Sequence, residues 1–133
     1  MTEEQIQIVR QQLIYLVGCA VRNEKAEADR IPEPETVLDM ASSHMLSAAA
    51  AMALKSAGFK SESIEKAVLV SHRNAILYQT AWNEIAAGLD QSGIRYMPLK
   101  GVVLKDLYPK VIMREMSDYD ILIDPSRAGD VKA

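Results

Sequence analysis

From Ser61 to Gly93 the chain keeps one helical period without a break: Ile64, Val68, Ala75, Tyr78, Trp82 and Leu89 recur at three-, four- and seven-residue spacing, with no proline among them. Ser61 or Ser63 supplies an N-cap, and Gly93 marks the stop. A helix over 61–91 would span roughly 45 Å at ~1.5 Å per residue, more than a small core can cover. One end is therefore expected to pack on other helices and the other end on a sheet.

Two shorter helical patterns precede it. Over 2–23, Thr2 and Gln5 form a capping box, and Ile6, Val9, Leu13, Leu16 and Ala20 make one apolar face. Cys19 lies on that face and reads as a buried, inert thiol. The polar stretch "NEKAEADRIPEPE", with Pro32 and Pro34, predicts a loop. A second helix is expected over 35–56, stopping at Gly58, and its run "MLSAAAAMAL" favours helix and lets another backbone come close.

Apolar residues make up 49% of the 133, and charged residues 25%, which suits a folded domain rather than a disordered chain. A net charge of -3 gives no general footprint for nucleic acid or anionic lipid. One cysteine cannot form an intrachain disulfide, and two scattered histidines, His44 and His72, show no zinc spacing. A reducing, cytoplasmic setting fits best, since the opening "MTEEQIQIVRQQ" resembles neither a signal peptide nor a membrane span.

After Gly93 the texture changes. "IRYMPL" predicts a strand, "VVLKDLY" a brief helix ended by Pro109, and "SDYDILID" a second strand closed by Pro125. Asp124 or Ser126 then caps the start of a further helix in "PSRAGDVKA". The fold class expected is α+β: a helical region over 1–92, then part of a mixed-sheet core over 93–133. Two short strands make a marginal sheet, so a truncated core is expected, and its open edge invites self-association, such as a homodimer.

Alternation along the second strand would put Asp118 and Asp120 on one face and Tyr119, Ile121 and Ile123 on the other. Two neighbouring carboxylates need neutralising, and paired hard oxygen ligands suit Mg²⁺ together with substrate phosphates. Upstream, Lys100 and Gly101 stand at a strand-to-helix turn, where a glycine lets backbone N–H groups approach a phosphate. Both halves of the pattern fit one ligand, a metal-bound nucleotide. Alternatively, both aspartates simply sit at a strand end in water.

The series "GIRYMPLKGVVLKDLY" followed by "REMSDYDILID" resembles the uncharacterised nucleotidyltransferase family of the polymerase-β-like superfamily. That resemblance implies a Mg²⁺-dependent enzyme moving a nucleoside monophosphate from an NTP to an acceptor it does not identify. It makes Asp118 and Asp120 the catalytic metal ligands, with two ions in a complete site, and Gly101 the phosphate turn. Lys100 and Arg114 become cofactor-binding candidates, with pairing to the acids, to hold them, as the favoured alternative role for Arg114. Two departures accompany the likeness: Val102 follows Gly101 where the superfamily usually has glycine or serine, and no third carboxylate is evident, Asp124 reading as a cap and Asp130 as solvated. The competing reading is a non-catalytic helical interaction or dimerisation module carrying a vestigial site. Trp82 and Tyr108 read as packing residues, and the seven methionines as core filler.

Overall fold

The computed structural model describes residues 1–132. Four helices, α1 (Glu3–Val21), α2 (Pro34–Ser43), α3 (Ser47–Ser56) and α4 (Glu62–Gln91), lead into a two-stranded antiparallel sheet of β1 (Tyr96–Leu99) and β2 (Asp120–Ile123). Between the strands lie a single helical turn, α5 (Gly101–Leu104), and the 3₁₀ turns Lys105–Leu107 and Val111–Met113. A 3₁₀ turn, Pro125–Arg127, and the short α6 (Ala128–Lys132) follow β2. The class is α+β, as the sequence predicts, and no helix among the described residues is long and apolar enough to cross a membrane.

The helix starts follow the expected chemistry. Thr2 and Gln5 close a capping box on α1: the Gln5 N–H donates to Thr2 Oγ1 at 3.2 Å and the Thr2 N–H donates to Gln5 Oε1 at 2.8 Å. Ser61 caps α4 by accepting from the Ile64 N–H at 3.2 Å.

One expectation is corrected: the predicted 35–56 helix is two. α2 ends in a turn in which Met45 has φ +57° and the Leu46 N–H donates to the Ala41 carbonyl at 2.9 Å. That six-to-one bond is the Schellman ending, normally built on glycine. The same bond closes α1 (Glu24 to Cys19, 2.8 Å), α3 (Phe59 to Leu54, 3.1 Å) and α4 (Ile94 to Leu89, 3.0 Å), with Asn23, Gly58 and Gly93 at the positive-φ position. Met45 does the same job without glycine's signature. What drives the break is tertiary, since Leu46, the residue after the turn, packs against the core.

The break frees α3 to run through the middle of the helical layer, touching α1, α2 and α4. Ala48, Ala49, Ala50, Ala51, Ala53 and Leu54 are all buried, so the alanine run serves close packing on several sides as well as helix propensity. Around it, Val9, Leu16, Ile31, Val37 and Ile64 complete the core. Fully burying a side chain of this size stabilises by about 1.5–3 kcal/mol.

The first half of α4 packs on this core through Ile64, Ala67 and Val68, while Leu69, Ile76 and Leu77 are exposed. Its far half meets the sheet through an aromatic cluster: Trp82 lies edge-on to Tyr96 (5.9 Å) and Tyr119 (6.3 Å), and Tyr78 lies 5.3 Å from Tyr119. The register pairs Tyr96 with Ile123 and Leu99 with Asp120. Tyr96, Pro98, Ile121 and Ile123 therefore share the face turned to α4, and Met97, Leu99, Asp120 and Leu122 share the open one.

Candidate functional site

The corner between β1 and α5 is unusual at both residues. Lys100 has φ +51° and ψ -115°, outside even the small left-handed region open to residues with a side chain. Gly101 is buried, and any Cβ there would overlap the Met116 sulfur. Gly101 thus serves close packing against the Met116 side chain, which any Cβ would force to move, rather than a left-handed backbone. The helix it opens is one turn long, so a phosphate at this corner would depend on neighbouring side chains more than on a helix dipole.

Strand β2 begins at Asp120, so Asp118 lies in the irregular segment just before it, and strand alternation does not place its side chain. The sequence expected both in the strand. Asp120 is instead located by its ion pair: Lys100 Nζ sits 2.8 Å from Asp120 Oδ2. The bond to Asp120, then the attraction of its charge, raises the Lys100 pKa above its ordinary value; desolvation opposes the shift, and the charge of Asp118 adds a smaller contribution. The cation that neutralises Asp120 is thus Lys100.

Arg114 departs from one expectation. It makes no ion pair with Asp118, Asp120 or any other acid among the described residues. Its terminal Nη2 lies 3.9 Å from the position a Gly101 Cβ would take, which puts the guanidinium at the same corner. Asp124 accepts from the Ser126 N–H (3.0 Å) and hydroxyl (2.7 Å) and pairs with Arg95 (3.5 Å), capping the turn after β2 as the sequence suggested. Asp130 pairs with Arg127. His44 and His72 are exposed, on different elements.

The segment from Arg114 to Asp120 is held by residues that sequence reasoning passed over. Glu115 accepts from the Ala48 N–H at 2.9 Å and from the Ser71 hydroxyl at 3.4 Å. It thereby caps α3, whose own N-cap, Leu46, has no side-chain acceptor. The Tyr78 hydroxyl donates to the Ser117 carbonyl at 2.7 Å. Lys105, buried to 8% exposure, donates to the side-chain carbonyl of Gln79. Only the break between α2 and α3 reveals the need for Glu115, and that break was not legible in the pattern.

Beside this segment is a cleft of about 580 Å³ between α2, α4 and the chain over 105–119. Arg114, Met116 and Tyr119 line it on the side of the aspartates, and Lys66, Asn74 and Tyr78 on the side of α4. Arg114 therefore borders both the Gly101 corner and the cleft.

Asp120 lies on the open face of the sheet with its charge met by Lys100, and no group of three or more His, Cys, Asp or Glu that could hold a metal forms among the described residues. A family model described as an uncharacterised nucleotidyltransferase matches residues 32–133, from the loop before α2 through the whole site. No curated protein and no solved structure matches the chain.

Proposed function

The chain belongs to this uncharacterised nucleotidyltransferase family, and from that premise we propose that it transfers a nucleoside monophosphate from an NTP to an acceptor, using Mg²⁺ held by Asp118 and Asp120. The observation that carries the reading is the ion pair of Asp120 with Lys100 at the Gly101 corner, where the Arg114 guanidinium also lies without an acidic partner among the described residues. Bound magnesium would neutralise phosphate charge and favour departure of pyrophosphate.

The chain's own residues do the rest. Lys100 and Arg114 are two cations near the Gly101 corner that would pair with nucleotide phosphates, and Met116 packs against Gly101. Glu115 and Tyr78 tie the aspartate segment to α3 and α4, so the carboxylates are set by the helical layer rather than by two strands alone. In the transfer an acceptor oxygen bonds to the α-phosphorus as the bond to pyrophosphate breaks, and the acceptor's proton passes to water.

Calorimetric titration of ATP, GTP, CTP and UTP with Mg²⁺ tests this, alongside Asp118→Asn and Asp120→Asn. At least one nucleotide should bind, and either substitution should abolish the metal-dependent part. Binding indifferent to both substitutions, or none by the folded protein, would overturn the assignment.

A further inference from the structure

We propose that Lys100 is a tethered counter-ion that holds Asp120 until a metal-bound nucleotide replaces it, so that metal and nucleotide bind together and metal alone binds poorly. This depends on reading Asp118 and Asp120 as the metal–nucleotide site.

Three observations lead there. First, the ammonium sits 2.8 Å from Asp120 Oδ2, on a carboxylate that the proposed metal would need. A dication binding Asp120 competes with the ammonium for the carboxylate's charge and is repelled by it, so moving the ammonium away favours the metal. Second, the backbone at Lys100, with φ +51°, is one in which glycine would be less strained. The pair offered in return is exposed, Lys100 at 73% and Asp120 at 40%, and exposed pairs stabilise a fold very little. Folding does not account for a lysine here, and strain retained without a structural return points to function.

Third, the displaced ammonium has somewhere to go. Its side chain is long and mostly solvent-exposed, and it starts from the corner where Arg114 Nη2 lies 3.9 Å from the Gly101 Cβ position. A phosphate entering beside Arg114 would give Lys100 a new anion when the metal takes the old one. Free metal brings no such anion. The cost of breaking the pair is then recovered only when nucleotide arrives with the metal, a coupling that must act equally in both directions.

The test is calorimetric titration of Mn²⁺ with and without a non-hydrolysable α,β-methylene NTP, in wild type, Lys100→Met, Lys100→Arg and Asp120→Asn, with circular dichroism confirming the fold of each. In wild type, the nucleotide analogue should tighten Mn²⁺ binding on the order of tenfold or more, within the ordinary range of coupling between sites. Lys100→Met should bind Mn²⁺ alone on the order of tenfold tighter than wild type and gain less from the analogue, since nothing has to be displaced. Lys100→Arg should restore the wild-type pattern. Equal or weaker binding of Mn²⁺ alone by Lys100→Met would overturn the proposal. If Asp120→Asn meanwhile loses metal binding, the nucleotidyltransferase site stands and only the counter-ion role falls; if Asp120→Asn binds like wild type, both fall.

Discussion

Three side chains are out of keeping with their surroundings, and each gives a measurable consequence. Lys100 holds a positive-φ backbone in exchange for an exposed ion pair, so Lys100→Gly should melt no lower than wild type, as thermal unfolding would show, even where it changes ligand binding. Gln12 lies on the core face of α1 at 6% exposure with neither side-chain polar atom bonded to protein among the described residues. Replacing such a group with an apolar one of similar size removes a desolvation penalty, so Gln12→Leu should stabilise by about 1 kcal/mol in urea unfolding. Asp124 has a lowered pKa, first through the Ser126 hydroxyl, then through the Ser126 N–H, with Arg95 adding to both. A carboxylate with a depressed pKa in the folded state contributes stability that is complete above the ordinary carboxylate range and is lost as pH falls through the folded value. Asp124→Asn should therefore be less stable than wild type at neutral pH and equal to it in strong acid.

At the scale of elements, local signals carry most of the information. The capping box of Thr2, the Ser61 cap and the stops at Gly58 and Gly93 are all in the sequence and all present in the fold, because each depends on a few adjacent residues. The break between α2 and α3 is not, because methionine is not a turn signal and the turn is imposed by Leu46 reaching the core. Met45→Gly removes that conflict and should stabilise by about 0.5–1 kcal/mol, visible as a raised melting temperature. The candidate site divides in the same way. Asp118, Asp120, Lys100 and Gly101 are readable as a motif, whereas Glu115 caps a helix start 67 residues earlier in the chain, and no local pattern announces that. Removing this cap by Glu115→Ala should cost about 1 kcal/mol, with Glu115→Gln, which keeps an acceptor, costing less. The same Glu115→Ala substitution should weaken nucleotide binding if the cap also positions the aspartates, which separates a positioning role from stability alone.

Across the whole molecule, stability and the candidate site belong to different layers. The core lies among α1, α2, α3 and the first half of α4, while the sheet is two four-residue strands with Met97 and Leu122 exposed on its outer face. A hairpin of this size has little stability of its own, and this one is held chiefly by the aromatic cluster of Trp82, Tyr78, Tyr96 and Tyr119 and by the bond from Tyr78 to Ser117. Native-state hydrogen exchange should therefore find two tiers: amides of α1 and α3 opening only with global unfolding, and amides of β1 and β2 opening locally at lower free energy. Trp82→Ala should widen the gap by speeding exchange in the strands while leaving α3 unchanged, because Trp82 touches the sheet from the far half of α4. A ligand that bridges Lys100, Arg114 and the aspartates binds across this weak layer, so Mg²⁺ with nucleotide should slow exchange in β1, β2 and the Gly101 corner far more than in α3. Uniform protection before ligand is added would mean the hairpin folds with the core, and the aspartates would then owe their placement to the global fold rather than to the few contacts named here.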